Sequence, residues 1–453
     1  MRADGGLVRC KVLSSSTIRC DAETGKNEKT VHVDTGYRVK AGFFQGYFFS
    51  FLTRPDDIFR ITDSADGGRS LVLDRELTDE PEGRFPAIIS SPDEAPVFAA
   101  RLITNTMRTE NFPNAQMRLA TTKGTNSLLE KDGGKTLFLV TEGYADLLQI
   151  RNQQRPDLFT LNIKKPRPFY HQVVEVPARM DANGSEIIPL DSDLLKARLK
   201  PVAEGVHAAA VCLMHGYRNP DHEQKVGRIL QEMGIERVSL SSGLSSSIKI
   251  VPRASTADIN AFLAPVMESY LENISHTIGG TSLRVMTSSG TLASSETYKP
   301  VDGLLSGPAG GVIGAAAIGK RNGFHKIISF DMGGTSTDVS RYDGGIDQIY
   351  EHRVGDAELA APAVDIETVA AGGGSVCGFD GISLTVGPKS AGADPGSACY
   401  GLGGPLTLTD VNLLAGRLHP DNFKISIQIK DAEMALESVL GRINSSRDEN
   451  LSR

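Results

Sequence analysis

The chain has 453 residues, of which 40% are hydrophobic and 23% charged, with 47 glycines; that is too long for one core, so roughly two to four turn-rich globular domains are expected. A net charge of −7 lacks the clustered basic excess that nucleic-acid backbones demand. No run reaches the roughly 18 apolar residues that span a bilayer, which argues against a membrane protein.

Met1 to Gly6 contain no apolar secretory core, and the five cysteines (Cys10, Cys20, Cys212, Cys377, Cys399) are odd in number and scattered. Both features suit a reducing cytoplasm. Residues 1 to about 115 read as short strands and loops, such as Val8 to Leu13, Thr30 to Val33 and Ser70 to Leu73, before a helix Ala95 to Met107. From Met117 the elements alternate: strand Met117 to Thr121, helix Thr125 to Lys131, strand Thr136 to Thr141, helix Tyr144 to Ile150. Strands separated by helices imply parallel pairing. A proline- and charge-rich loop, Arg155 to Pro168, and a polar hairpin around Asp181 to Gly184 follow.

The pattern then repeats, with helix Ser192 to Leu199, strand Ala208 to Met214, helix Asp221 to Met233 and strand Arg237 to Leu240. A long helix (Ser255 to Thr277), a strand (Leu283 to Thr287) and a glycine-spaced helix (Gly310 to Ile318) lead to the strand His325 to Phe330. Beyond Pro420 a helix Ala432 to Leu440 runs into the polar tail Ser445 to Arg453, which is expected to fray. The expected division is 1–185, 186–425 and 426–453.

The richest chemistry lies in Asp331 to Ser340, where a strand enters two glycines followed by three hydroxyls. Asp331, at the carboxyl end of that strand, suits a hydrated Mg²⁺. Gly333 and Gly334 bring backbone N–H groups close to phosphate oxygens, and Thr335, Ser336 and Thr337 add hydroxyls. Asp338 is a second polar anchor or water orienter. A plain hairpin turn is the competing reading.

Gly314 to Lys320 nearly match a nucleotide P-loop, but Arg321 stands where a Ser or Thr would bind Mg²⁺, and the run ends a helix instead of opening one. Ser306 to Gly311 read as a helix N-terminus packed close to another backbone. Gly372, Gly373 and Gly374 either admit a flat ring such as adenine or form a flexible linker.

Lys389, Asp394, Cys399 and Asp410 fall on glycine-bounded loops, where functional side chains tend to sit. Cys399 has no basic neighbour in sequence and reads as structural. Cys212, His215 and His222 raise a metal reading that the apolar setting of Cys212 weakens. Thr121 to Asn126 either line a cleft mouth or cap a helix start.

In order, Thr121 to Glu130, Thr141 to Asp146 with Arg155 to Leu158, His215 to Glu223, Ser306 to Gly311, Phe330 to Ser340, Ala371 to Ser375, Gly387 to Gly401 and Thr409 to Leu418 resemble the hydantoinase A/5-oxoprolinase family, which includes acetone and acetophenone carboxylase subunits. The resemblance implies an α/β, actin-like (ribonuclease-H-like) two-lobed ATPase fold. It implies ATP, with Asp331 to Asp338 as a phosphate loop and Gly372 to Gly374 in the adenosine site. The implied chemistry is phosphorylation and hydrolysis of a cyclic amide, with a hydantoinase B-type subunit or domain as partner and an oligomeric assembly. Thr122, Asn126, His215 and Asp394 are the substrate-side candidates.

Two departures stand out. No first Asp-x-Gly-Gly-Thr loop precedes Val8 to Leu13, so the first lobe is expected to be incomplete, and the sequence stops soon after Phe423, whereas the family runs on. A truncated gene model, a fragment or one piece of a split protein would each explain this. An ATP-using ketone carboxylase subunit and a non-catalytic subunit retaining the fold are the alternative functions.

Overall fold

Between residues 17 and 90 apolar and polar side chains alternate along short segments, as in Thr17–Thr24, and one buried face per strand needs a common core. In the computed structural model six antiparallel strands, Thr17–Thr24, Thr30–Asp34, Phe48–Phe51, Arg54–Ala65, Ser70–Leu73 and Phe85–Ser90, meet that need by closing into a barrel. Going round it, the sequence order is first, second, fifth, fourth, third, sixth. Closure leaves no strand edge open. Phe43, Phe44, Tyr47, Phe49, Phe51 and Phe59 fill the interior. Of Val8 to Leu13, expected as a strand, the described residues contribute only an isolated bridge from Leu13 to Thr17, and residue 9 lies outside them.

The structure describes residues 8, 10–13, 15–25, 29–77, 83–153, 159–279, 281–392, 395–423, 427–447 and 451. They form two compact units. The first comprises 1–287, 291–304 and 351–361, and the second 288–290, 305–350 and 362–453.

In the first unit the barrel is joined to helix Ala95–Thr104, whose Phe98 ring sits 5.3 Å from that of Tyr47. Beyond it the alternating elements build a four-stranded, wholly parallel sheet in the order Val238–Leu240, Ala208–Cys212, Thr136–Thr141, Gln172–Val176. Thr136–Thr141 and Ala208–Cys212 are buried along their whole length, as central parallel strands covered on both faces must be. Helices Ser192–Leu199 and Asp221–Glu232 cover one face. The long helix Ile250–Ile278 covers the other through Ala254, Ala257 and Ala261. This sheet unites strands on both sides of residue 185, so the expected boundary there does not coincide with the compact units.

In the second unit the helix Ser306–Arg321 packs on an antiparallel hairpin, Lys326–Met332 and Thr337–Asp343, which pairs with a third strand, Glu367–Val369. A second hairpin, Ser375–Phe379 with Leu384–Ser390, and the helices Leu408–Leu414 and Ile429–Arg447 complete it. The last helix is longer than expected, because Ala432 and Ile443 are buried along it and the Gln428 N–H donates to the Cys399 carbonyl at 2.8 Å. Among the described residues no helix is long and apolar enough to cross a membrane.

Candidate functional site

The strands of the glycine hairpin hold Asp331 opposite Asp338 and Met332 opposite Thr337, leaving residues 333–336 to make the turn. The Gly333 N–H closes it on the Ser336 carbonyl at 2.9 Å. The N–H groups of Gly334, Thr335 and Ser336 make no hydrogen bond among the described residues. Asp331, Gly334 and Thr335 are exposed. The Asp331 carboxylate has no hydrogen-bond partner or ion pair among the described residues, whereas Asp338 Oδ1 accepts from the Thr368 hydroxyl at 2.8 Å.

The second glycine run lies against this turn. Gly373 N–H donates to Gly333 O at 2.9 Å and Gly374 N–H to Gly334 O at 2.7 Å. A Cβ at position 372 would meet the Gly334 carbonyl and the Thr335 nitrogen at 2.6 Å, so only glycine permits the approach. Thr409, on helix Leu408–Leu414, donates both its N–H and its hydroxyl to Gly373 O, each at 2.9 Å. Asp410 anchors that helix from inside: buried, it accepts from the N–H groups of Ala398, Cys399 and Thr407 and from the Thr407 hydroxyl.

The structure thus redistributes several expected roles. Gly372, Gly373 and Gly374 are neither a free linker nor a bare surface. The first donates to Ser375 Oγ at 2.9 Å and the other two to the turn. The close neighbour that needs three bare positions is the Gly333–Gly334 backbone. The Gly333 N–H is used within the turn, and buried Thr337 donates its hydroxyl to the Ala371 carbonyl. Asp410, read as a loop residue, is a buried helix cap. Cys399 is buried, and burial followed by the Asp410 carboxylate pushes its thiol up to about 12, which leaves it unreactive. Asp394 lies outside the described residues.

In the first unit, Thr122 and Asn126, at the start of helix Lys123–Glu130, share a cavity of about 370 Å³ with Pro96, Ala99 and Tyr270. His215 does not line it. His215 follows strand Ala208–Cys212 in a left-handed conformation (φ 57°), with its Nδ1 buried and without a hydrogen-bond partner among the described residues. Cys212 is wholly buried, its thiol pushed up to about 12 by burial, and His222 Nε2 lies 3.0 Å from Glu186 Oε2. No cluster of three or more metal-ligating side chains occurs among the described residues, which removes the support for a metal at Cys212, His215 and His222.

Sequence reasoning missed the ion pair beneath the His215 loop. Glu223 stands in the first turn of helix Asp221–Glu232. It is wholly buried, accepts from Leu213 N–H, Ser241 Oγ and Ser242 N–H, and lies 3.6 Å from the buried Arg253 guanidinium. Arg253 in turn donates to Ser241 Oγ and Leu213 O. An arginine among apolar residues just ahead of the helix read from Ser255 was the available signal, since a buried charge needs a partner.

Three consecutive N–H groups without a partner among the described residues can each donate to a phosphate oxygen, and the exposed Asp331 carboxylate suits a hydrated divalent cation. Residues 90–234 match the model for the hydantoinase/oxoprolinase N-terminal region, and residues 253–449 match that for hydantoinase/oxoprolinase. The chain is 39% identical over 397 residues to 5-oxoprolinase 1 of Arabidopsis thaliana, an alignment covering 78% of this chain and 31% of that protein. It is 34% identical over 319 residues to caprolactamase subunit alpha of Pseudomonas jessenii, covering 66% and 45%.

Its fold is that of the ATP-dependent caprolactamase from Pseudomonas jessenii (TM-score 0.66, 24% identity, 90% of this chain and 62% of that one). Acetone carboxylase, solved nucleotide-free, is also similar (TM-score 0.61, 21% identity, 91% and 60%). Both are mixed α/β folds, consistent with the actin-like class. The chain spans about a third of the length of the 5-oxoprolinases it matches.

Proposed function

The chain belongs to the hydantoinase/oxoprolinase family, and from that premise we propose that it supplies the nucleotide-binding part of an enzyme that uses ATP to hydrolyse a cyclic amide of the 5-oxoproline or hydantoin type. The observation that carries this reading is the turn of the glycine hairpin, with the N–H groups of Gly334, Thr335 and Ser336 without a partner among the described residues and the Asp331 carboxylate exposed.

An amide carbonyl is a poor electrophile, and ATP supplies the phosphoryl group that turns its oxygen into part of a leaving group. The three N–H groups and the Thr335 and Ser336 hydroxyls hold phosphate oxygens, in a loop kept in shape by Gly372 to Gly374 and Thr409. Asp331 holds Mg²⁺. Asp338, fixed by Thr368, orients water near the phosphates. Adenosine lies near the glycine run in this reading. Thr122, Asn126 and His215 are the substrate-side residues.

The caprolactamase relative is named as an alpha subunit, which supports a partner subunit for this chain too, of the hydantoinase B type and in an oligomeric assembly. Five free cysteines suit a reducing cytoplasm. The likeness to acetone carboxylase supports a second reading, an ATP-using ketone carboxylase subunit.

The test is calorimetry with Mg·ATP, followed by ADP release with 5-oxoproline, hydantoin, or acetone with and without bicarbonate. Mg·ATP binding with release stimulated by a ring amide is the expected result. Bicarbonate-dependent release with acetone would favour the carboxylase. A folded chain that binds no Mg·ATP would leave a non-catalytic subunit.

A further inference from the structure

The cavity shared by Thr122 and Asn126 carries charge that the reading above leaves unassigned. Its lining residues include Lys11, Lys123 and Glu94. Neither lysine makes an ion pair among the described residues, whereas Glu94 already accepts from the Asn273 amide at 3.5 Å. The Tyr270 phenol is held by a hydrogen bond with Thr121. The lining thus sets two lysines against one glutamate, beside the Asn126 amide and the Thr122 hydroxyl. Asn126 offers both a donor and an acceptor, as a ring amide does, and Thr122 makes no capping bond to its own helix.

We propose that this cavity binds the ring amide and that Lys123 sets its charge selectivity, favouring rings that carry a carboxylate over uncharged lactams. This rests on the reading of the chain as acting on cyclic amides. It decides between relatives whose names point in different directions, an oxoprolinase and a caprolactamase. A carboxylate placed on the Lys123 ammonium forms a charge-assisted hydrogen bond that a neutral lactam cannot form. Because the lysine is exposed, solvent screens the pair, and the expected preference is about threefold to fivefold.

The full chain is titrated calorimetrically with 5-oxoproline and with pyrrolidin-2-one, the same ring without its carboxylate, and separately with Mg·ATP. Wild type should prefer 5-oxoproline by about threefold to fivefold, and that preference should shrink as ionic strength rises. Lys123→Gln should abolish the preference and Lys123→Arg should restore it, with melting temperatures reporting that each variant is folded. Equal affinity for both rings in wild type, or a preference that survives in Lys123→Gln, overturns the assignment. Heat from Mg·ATP with none from either ring also overturns it and leaves the nucleotide reading standing. Ring binding without Mg·ATP binding does the reverse.

Discussion

The amide N–H of Gly374 donates to the carbonyl oxygen of Gly334 at 2.7 Å, so two glycine runs distant in sequence form one continuous backbone structure. The unpaired N–H groups at 334–336 therefore owe their placement to residues 372–374 as much as to their own turn. Gly372→Ala would drive a Cβ to 2.6 Å from the Gly334 carbonyl and the Thr335 nitrogen, and backbone atoms cannot rotate away. The expected result is a loss of about 1–3 kcal/mol in stability and at least tenfold weaker Mg·ATP binding by calorimetry. Gly345→Ala, whose Cβ would meet nothing within 4 Å, is the control. Unchanged affinity in Gly372→Ala would show that the turn holds its shape alone.

The strand and the glycine turn at 333–334 were legible because their signal is local, whereas the antiparallel return of residues 337–343 belongs to the competing reading of the same stretch. Strand Thr136–Thr141 and helix Ser192–Leu199 have the bounds that their apolar pattern and capping residues predict. The six-stranded barrel was not legible, because its strands are short and closure depends on pairings such as Thr17 with Ser90, which no local pattern encodes. Likewise the burial of Arg253 and Asp258 within one long helix is decided by what the sheet and neighbouring loops place against it. The role of Gly372 to Gly374 was half legible: bare backbone announces a close approach, while the identity of the approaching group is a tertiary fact.

Arg253 and Glu223 are buried to 1% and 0% exposure, with every oxygen of Glu223 engaged. Arg253→Met removes the countercharge and leaves a carboxylate in the core, at an expected cost of about 3–5 kcal/mol in chemical denaturation. The double variant Glu223→Gln with Arg253→Met should regain part of that loss, since neither charge then remains buried. Strict additivity of the two single changes would contradict a coupled pair.

Asp258 lies wholly buried, its Oδ2 accepting from the Phe169 N–H at 2.9 Å and its Oδ1 without a partner among the described residues. Burial pushes its carboxyl from 3.8 up to about 7, against a smaller downward pull from the Phe169 N–H and Arg151. The folded state therefore holds a proton that the unfolded chain releases, so this group's contribution to stability is fully present below about pH 4. It declines as pH rises towards 7, by about 1.4 kcal/mol per pH unit at most. Asp258→Asn keeps an acceptor for Phe169 and cannot ionise. Denaturation midpoints at pH 5 and pH 8 should show the variant gaining on wild type at the higher value; a difference independent of pH would refute the buried-proton account.

Asp331 and Asp338 face each other across the hairpin, yet their surroundings give them different tasks. Asp338 is half-buried and tied to the Thr368 hydroxyl, while Asp331 is exposed and has no internal partner among the described residues. Replacing Asp331 by Asn should leave stability within about 0.5 kcal/mol, because no contact inside the fold is lost. The same change removes the negative charge that suits a hydrated cation, so Mg·ATP binding should weaken at least tenfold, while the weaker binding of ATP in EDTA stays the same. Asp338→Asn should show the opposite balance, with a measurable drop in melting temperature and a larger effect on ADP release than on affinity. If Asp331→Asn bound Mg·ATP as wild type does, the cation would have to be held elsewhere and the hairpin would lose its claim to the metal.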